Sequence, residues 1–172
     1  IEYKNNLGVA LRKVGKLDDA VHIFKEILTL NSKNTAVQNN LGLIFTELGR
    51  FSEAETAYQS ALNTNPDYSD ASRNLADLYT QVAAFKKAEQ CLNRAILRDI
   101  HNSNLLIKLG IVVQKQGRLK EAREILTGAS DKKGSESNSS TALANVLRDL
   151  GEFESAVTIL ENLPAQIGRA HV

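Results

Sequence analysis

The stretch Asn39-Asn-Leu-Gly-Leu-Ile-Phe-Thr-Glu-Leu-Gly-Arg-Phe-Ser-Glu-Ala-Glu-Thr-Ala-Tyr-Gln-Ser-Ala-Leu62 decides the fold, because its small residues sit at fixed offsets inside an otherwise helical pattern. Shifted by thirty-four residues in either direction, the same letters return. Leu7-Gly8, Leu41-Gly42, Leu75-Ala76, Leu109-Gly110 and Leu143-Ala144 share one register. So do Ala20, Ala54, Ala88, Ala122 and Ala156, and Phe24, Tyr58, Leu92, Leu126 and Leu160. Gly15, Gly49, Gly117 and Gly151 repeat as well, with Ala83 as the deviant copy.

This pattern, Leu-Gly followed by Ala-x-x-x-Phe/Tyr at a thirty-four-residue period, resembles the tetratricopeptide repeat family. No copy carries Trp at its fourth position, and only Pro66 matches the family's terminal Pro, with Ser32, Ile100 and Gly134 elsewhere. The resemblance implies an all-α fold, a right-handed α-solenoid of about five stacked helix-turn-helix repeats, its handedness taken from the family. The copies are 1–34, 35–68, 69–102, 103–136 with a degenerate C-terminal end, and a partial fifth over 137–166. Residues 167–172, Ile-Gly-Arg-Ala-His-Val, resemble one translated frame of a sequencing-library adaptor and are read as a scar or a disordered tail. With no Met in the chain, it is read as a fragment of a longer frame.

Within each copy, positions 4, 7, 11 and 14 share one face of a first helix, helix A, as in Leu7, Leu11 and Val14. The helices A are expected near Val9, Leu43, Asp77, Ile111 and Asn145. Glycine at position 15 ends each, since it enters the left-handed region without a Cβ penalty. Ala83 must bear a cost of about 1 kcal/mol there or reshape its turn. Helix B follows, with Leu17, Ala20, Val21, Phe24, Ile27 and Leu28 on its apolar face. The polar run from Gly128 to Ser140 is expected to truncate the second helix of copy four without creating a domain boundary.

Composition excludes several classes of function. A net charge of +1 gives no electrostatic case for nucleic acid, and no apolar run reaches the length of a membrane span. The single Cys91 reads as a small buried hydrophobe. His22, His101 and His171 are isolated, which gives no metal motif and no triad. The Asp18-Asp19 pair opens a helix, where it favours the positive end of the dipole. Catalytic, cofactor and metal residues are therefore expected to be absent, and the chain is read as no enzyme. Cytoplasmic localisation is the default expectation only.

The remaining candidate is a groove. Positions 2, 6, 9 and 13 of helix A form the stripe opposite its core face, and in the resembled family that stripe lines the concave surface. Position 6 supplies Asn6, Asn40 and Asn74, then Lys108 and Ala142. A primary amide both donates and accepts, matching the alternating groups of an extended peptide backbone. The row resembles the asparagine ladder in the repeat domain of O-linked N-acetylglucosamine transferases. Val9, Leu43 and Ile111, with Ile107 one turn before, are expected to add open apolar spots, interrupted by Asp77. Lys13, Lys108 and Lys115 are basic candidates, but no three consecutive copies carry the carboxylate clamp that the family uses for chaperone tails. Two functions follow: a non-catalytic scaffold binding a protein or peptide segment, or the acceptor-recognition arm of a larger glycosyltransferase or sulfotransferase.

Overall fold

The computed structural model describes residues 2–99, 102–130 and 136–167. Every element among them is an α-helix: α1 (Glu2–Lys13), α2 (Leu17–Leu30), α3 (Thr35–Glu47), α4 (Phe51–Thr64), α5 (Ser69–Gln81), α6 (Phe85–Arg98), α7 (Ser103–Lys115), α8 (Leu119–Ser130), α9 (Glu136–Asp149) and α10 (Phe153–Ile167). The fold is thus an all-α helical-repeat solenoid in class, with no strand among the described residues. Ile100, His101, residues 131–135 within the polar run, and residues 168–172 with His171 lie outside the described residues.

Contacts divide the chain into two units, residues 1–83 and 84–172. In the first, α1 pairs with α2 and α3 with α4, while α2 also packs on α3 and α4 on α5. In the second, α7 pairs with α8 and α9 with α10, while α6 packs on α7 and α8 on α9. Asparagines start two of the helices A: the Val37 amide donates to Asn34 Oδ1 at 3.2 Å, and the Leu105 amide to Asn102 Oδ1 at 3.4 Å. Each satisfies one of the orphan donors of a helix N-terminus.

Small residues at position 8 set the closeness of each hairpin. A Cβ on Gly8 would stand 2.7 Å from Phe24 Cζ, one on Gly42 would enter the Tyr58 ring, and one on Gly110 would stand 2.5 Å from Leu126 Cγ. Phe24, Tyr58 and Leu126 are at most 1% exposed, so helix B drives a large side chain into the gap helix A leaves open.

The turn at Ala83 keeps the left-handed conformation of its glycine equivalents, with φ of 56°. A Cβ in that region costs about 1–2 kcal/mol, offset in Ala83→Gly by the greater freedom of glycine in the unfolded chain. Ala83→Gly should therefore stabilise the protein by about 0.5–1 kcal/mol in urea titration. A destabilised variant would mean that the turn gains from its Cβ.

Core positions differ from the sequence expectation in two ways. Val14, expected on the core face of α1, is 69% exposed. Conversely, positions 3 and 10 of the later helices A are closed, with Val37 and Ile44 both fully buried and Leu78 and Val112 each at 2%. The physical reason is that α3 packs on the preceding α2 as well as on its own partner α4. Two helical neighbours bury a wider arc than one, and α1 has no such preceding helix among the described residues.

Candidate functional site

The stripe residues occupy successive helices A. Asn6, Val9 and Lys13 lie on α1, Asn40 and Leu43 on α3, and Asn74 and Asp77 on α5, and α3 contacts both α1 and α5. Asn6, Lys13 and Asp77 are exposed, and Val9, Asn40, Leu43 and Asn74 are half-buried. Ile107, Lys108 and Ile111 lie on α7 in the second unit, where Lys108 and Ile111 are half-buried.

Two of these placements correct the sequence reading. Ile107 is not an open apolar spot, because it is only 7% exposed. It stands at position 5, on the flank where successive helices A approach one another, and α7 contacts α9. Asn74 is not a free amide either, since its Nδ2 donates to Asn39 Oδ1 at 2.9 Å.

That bond belongs to a recurring set. Arg12 donates from Nε and Nη2 to Glu47 Oε1 at 2.8 and 2.5 Å, and Gln114 Nε2 donates to Asp149 Oδ2 at 2.6 Å. All three pairs are separated by thirty-five residues: position 5 reaches position 6 of the next copy, and position 12 reaches position 13. Positions 5 and 12 are seven apart and therefore share a helix face, as do 6 and 13. One edge of α1, α3 and α7 thus clasps the stripe edge of α3, α5 and α9 respectively. The period predicted where the stripe residues repeat, but a thirty-four-residue alignment conceals partners offset by one.

Asn6 and Asn40 make no side-chain hydrogen bond to another described residue, so their amides keep full donor and acceptor capacity. Asn5, one turn-edge away at position 5, has a buried Oδ1 without a partner. It is the first-copy equivalent of Asn39, whose Oδ1 is satisfied by Asn74.

Helix B residues supply further ties. Arg118 Nη1 bonds Glu89 at 2.8 and 2.9 Å, Gln116 Nε2 bonds Glu89 at 2.7 Å, and Arg123 Nη1 bonds Glu152 at 2.9 Å. Burial pushes the Glu89 carboxyl up, but the hydrogen bonds from Gln116 and Arg118 outweigh it and hold the group below its ordinary value. The hydrogen bond from Gln114 lowers Asp149, and that from Lys4 lowers Glu26. Carboxyls that titrate lower in the fold than in the free chain stabilise it above their unfolded values, and that contribution is lost as pH falls through the folded values. Urea midpoints should therefore decline once the pH drops below about 4.5. A midpoint constant down to about pH 3 would show these ties to be energetically silent.

Among the described residues, no group of three His, Cys, Asp or Glu could hold a metal ion. No described helix is long and apolar enough to cross a membrane.

Comparison with known proteins agrees with this architecture. Family models described as tetratricopeptide repeat match residues 5–67, 45–105 and 139–162. No curated protein sequence matches the chain. Among solved structures, MamA residues 41 to the end from Desulfovibrio magneticus RS-1 is similar at a TM-score of 0.86 and 16% identity, covering 99% of this chain and 96% of that one. A crystal structure of MamA gives 0.83 at 18% identity, with 95% of each chain covered. YrrB, titled a TPR protein with an unusual peptide-binding site, gives 0.75 at 18% identity, covering 93% of this chain and 82% of its own. At these identities the solved structures speak for the fold, while the family models match most of the sequence. The chain belongs to the tetratricopeptide repeat family, and with it to the non-catalytic scaffolds of protein–protein interaction.

Proposed function

We propose that the helix A stripe of the first unit binds an extended peptide segment of a partner protein, gripping its backbone through Asn6 and Asn40. The observation that carries this reading is the contrast among three equivalent amides: Asn74 is engaged by Asn39, whereas Asn6 and Asn40 have no described partner. Val9 and Leu43, half-buried one turn further along the same helices, supply apolar contact beside each amide. The peptide-binding site named for YrrB supports the class of ligand by analogy of fold. The repeat boundaries given above are part of the same reading.

Each neutral hydrogen bond contributes only about 0.5–1.5 kcal/mol net, so two amides and two half-buried aliphatic groups give weak, sequence-tolerant binding. Asn6→Ala/Asn40→Ala should abolish measurable capture of extended peptides in fluorescence anisotropy while leaving the urea midpoint nearly unaltered. Asn74→Ala should do the reverse, removing about 0.5–1.5 kcal/mol of stability with a smaller effect on capture, because it strands the Asn39 carbonyl. Equal loss of capture in all three single variants would restore Asn74 to the ligand row. Unchanged capture in the double variant would remove the row altogether.

A further inference from the structure

The ties between successive helices A leave one pair open. Asn74 Nδ2 donates to Asn39 Oδ1 at 2.9 Å, which joins position 5 of one copy to position 6 of the next. In the second unit the same two positions are Ile107 and Ala142, 7% and 6% exposed, an apolar closure with no polar side chain to satisfy. A third such pair is Asn5 with Asn40, thirty-five residues apart like Asn39 and Asn74. Here no bond is made: Asn5 Oδ1 is closed to solvent without a partner, and the Asn40 side chain has none among the described residues either.

The register of α1 on α3 sets these two amides opposite one another. Arg12 donates to Glu47 across the same two helices, again over thirty-five residues, and the two stand seven residues after Asn5 and Asn40 respectively. Seven residues are about two turns and return to the same helix face. Direct contact joins α1 to α3, as it joins α3 to α5. Asn5 therefore stands to Asn40 as Asn39 stands to Asn74. A buried acceptor that has given up water without gaining a donor bears its whole desolvation cost, which favours any arrangement that turns a nearby donor to it. The half-buried Asn40 amide is such a donor.

We propose that Asn40 exchanges between two arrangements: the open one described above, and a tied one in which its Nδ2 donates to Asn5 Oδ1 and the site is occluded from within. Asn5 is thereby a positioning residue that sets the affinity of the site without touching the peptide. This rests on the peptide reading given above. In the tied arrangement α1 fixes the plane of the Asn40 amide, as α3 fixes that of Asn74, and the amide no longer follows a peptide backbone. A ligand then selects the open fraction, and its apparent affinity is lowered by that fraction.

Two substitutions at Asn5 move this balance in opposite directions. Asn5→Ala removes the acceptor, whereas Asn5→Asp keeps it and charges it, which strengthens the tie. Without ligand, the vicinal couplings that report the Asn40 side-chain rotamer in the 13C,15N-labelled chain should be averages of two conformers. They should move toward one limit in Asn5→Ala and toward the other in Asn5→Asp, with those of Asn74 unaltered. Identical couplings in all three chains would overturn the tie. Titrated with a pool of blocked, uncharged random-sequence peptides in fluorescence anisotropy, Asn5→Ala should bind about two- to tenfold more tightly than the unaltered chain, the range for an open fraction of about one-half to one-tenth. Asn5→Asp should bind more weakly. A merely structural role for Asn5 would move capture the same way in both variants and would overturn the proposal, as would unchanged capture in either. Should one variant fail to fold, the other decides by its sign. If the couplings move as expected and none of the chains captures peptide, the tie is upheld and it is the peptide reading that fails.

Discussion

Gly42→Ala should destabilise the protein by about 1–3 kcal/mol, because its new methyl group meets the ring of Tyr58, which is 1% exposed and has no room to retreat. The sequence itself contains the compensating change. Where position 24 is aromatic, as in Phe24 and Tyr58, position 8 is glycine. In Ala76 with Leu92 and Ala144 with Leu160, a larger residue at position 8 accompanies a smaller one at position 24, although Gly110 with Leu126 shows that leucine there also occurs beside glycine. Tyr58→Leu alone should also destabilise, since it vacates ring volume and removes the hydroxyl that lies 3.3 Å from Thr46 Oγ1. Combined, Gly42→Ala/Tyr58→Leu should recover at least about 1 kcal/mol relative to the sum of the single variants, as contacting residues commonly do. Strict additivity in urea titrations would mean that the hairpin does not depend on this interlock.

Ile44→Ala should cost about 2–5 kcal/mol, the range for truncating a fully buried aliphatic side chain. Val14→Ala, measured at low protein concentration, should stay within about 0.5 kcal/mol because the side chain is 69% exposed. Periodicity alone ranks the two the other way, since Val14 falls on the expected core face and Ile44 does not. A small effect at Ile44 with a large one at Val14 would restore the single-face view of helix A.

The thirty-four-residue period placed each expected centre inside a described helix A, slightly after its midpoint, and located both partners of the Gly8–Phe24 type of contact, because those interactions lie within one copy and recur at constant spacing. Ala83 was legible as a strained turn for the same reason. Burial at Val37 and Ile44 was not read, although apolar residues recur at positions 3 and 10, because it comes from packing on the helix of a preceding copy. The Asn39–Asn74 bond was missed because an amide pattern on one helix looks the same whether it faces a ligand or a neighbouring amide. Ile107 stands one turn before the stripe residue Ile111 in sequence, yet position 5 lies on the flank between successive helices A, a neighbour that spacing within one helix does not reveal.

The central functional claim is that Asn6 and Asn40 are available to a ligand while Asn74 is held by its own fold. Side-chain amide resonances of the 15N-labelled protein report this residue by residue during titration with a pool of random-sequence peptides of about ten residues, which extend to ~33 Å. The account predicts progressive shifts of the Asn6 and Asn40 amide signals, with those of Asn39 and Asn74 nearly stationary. Shifts confined to Asn74, or no response of Asn6 and Asn40 at peptide concentrations that shift Val9 and Leu43, would contradict it.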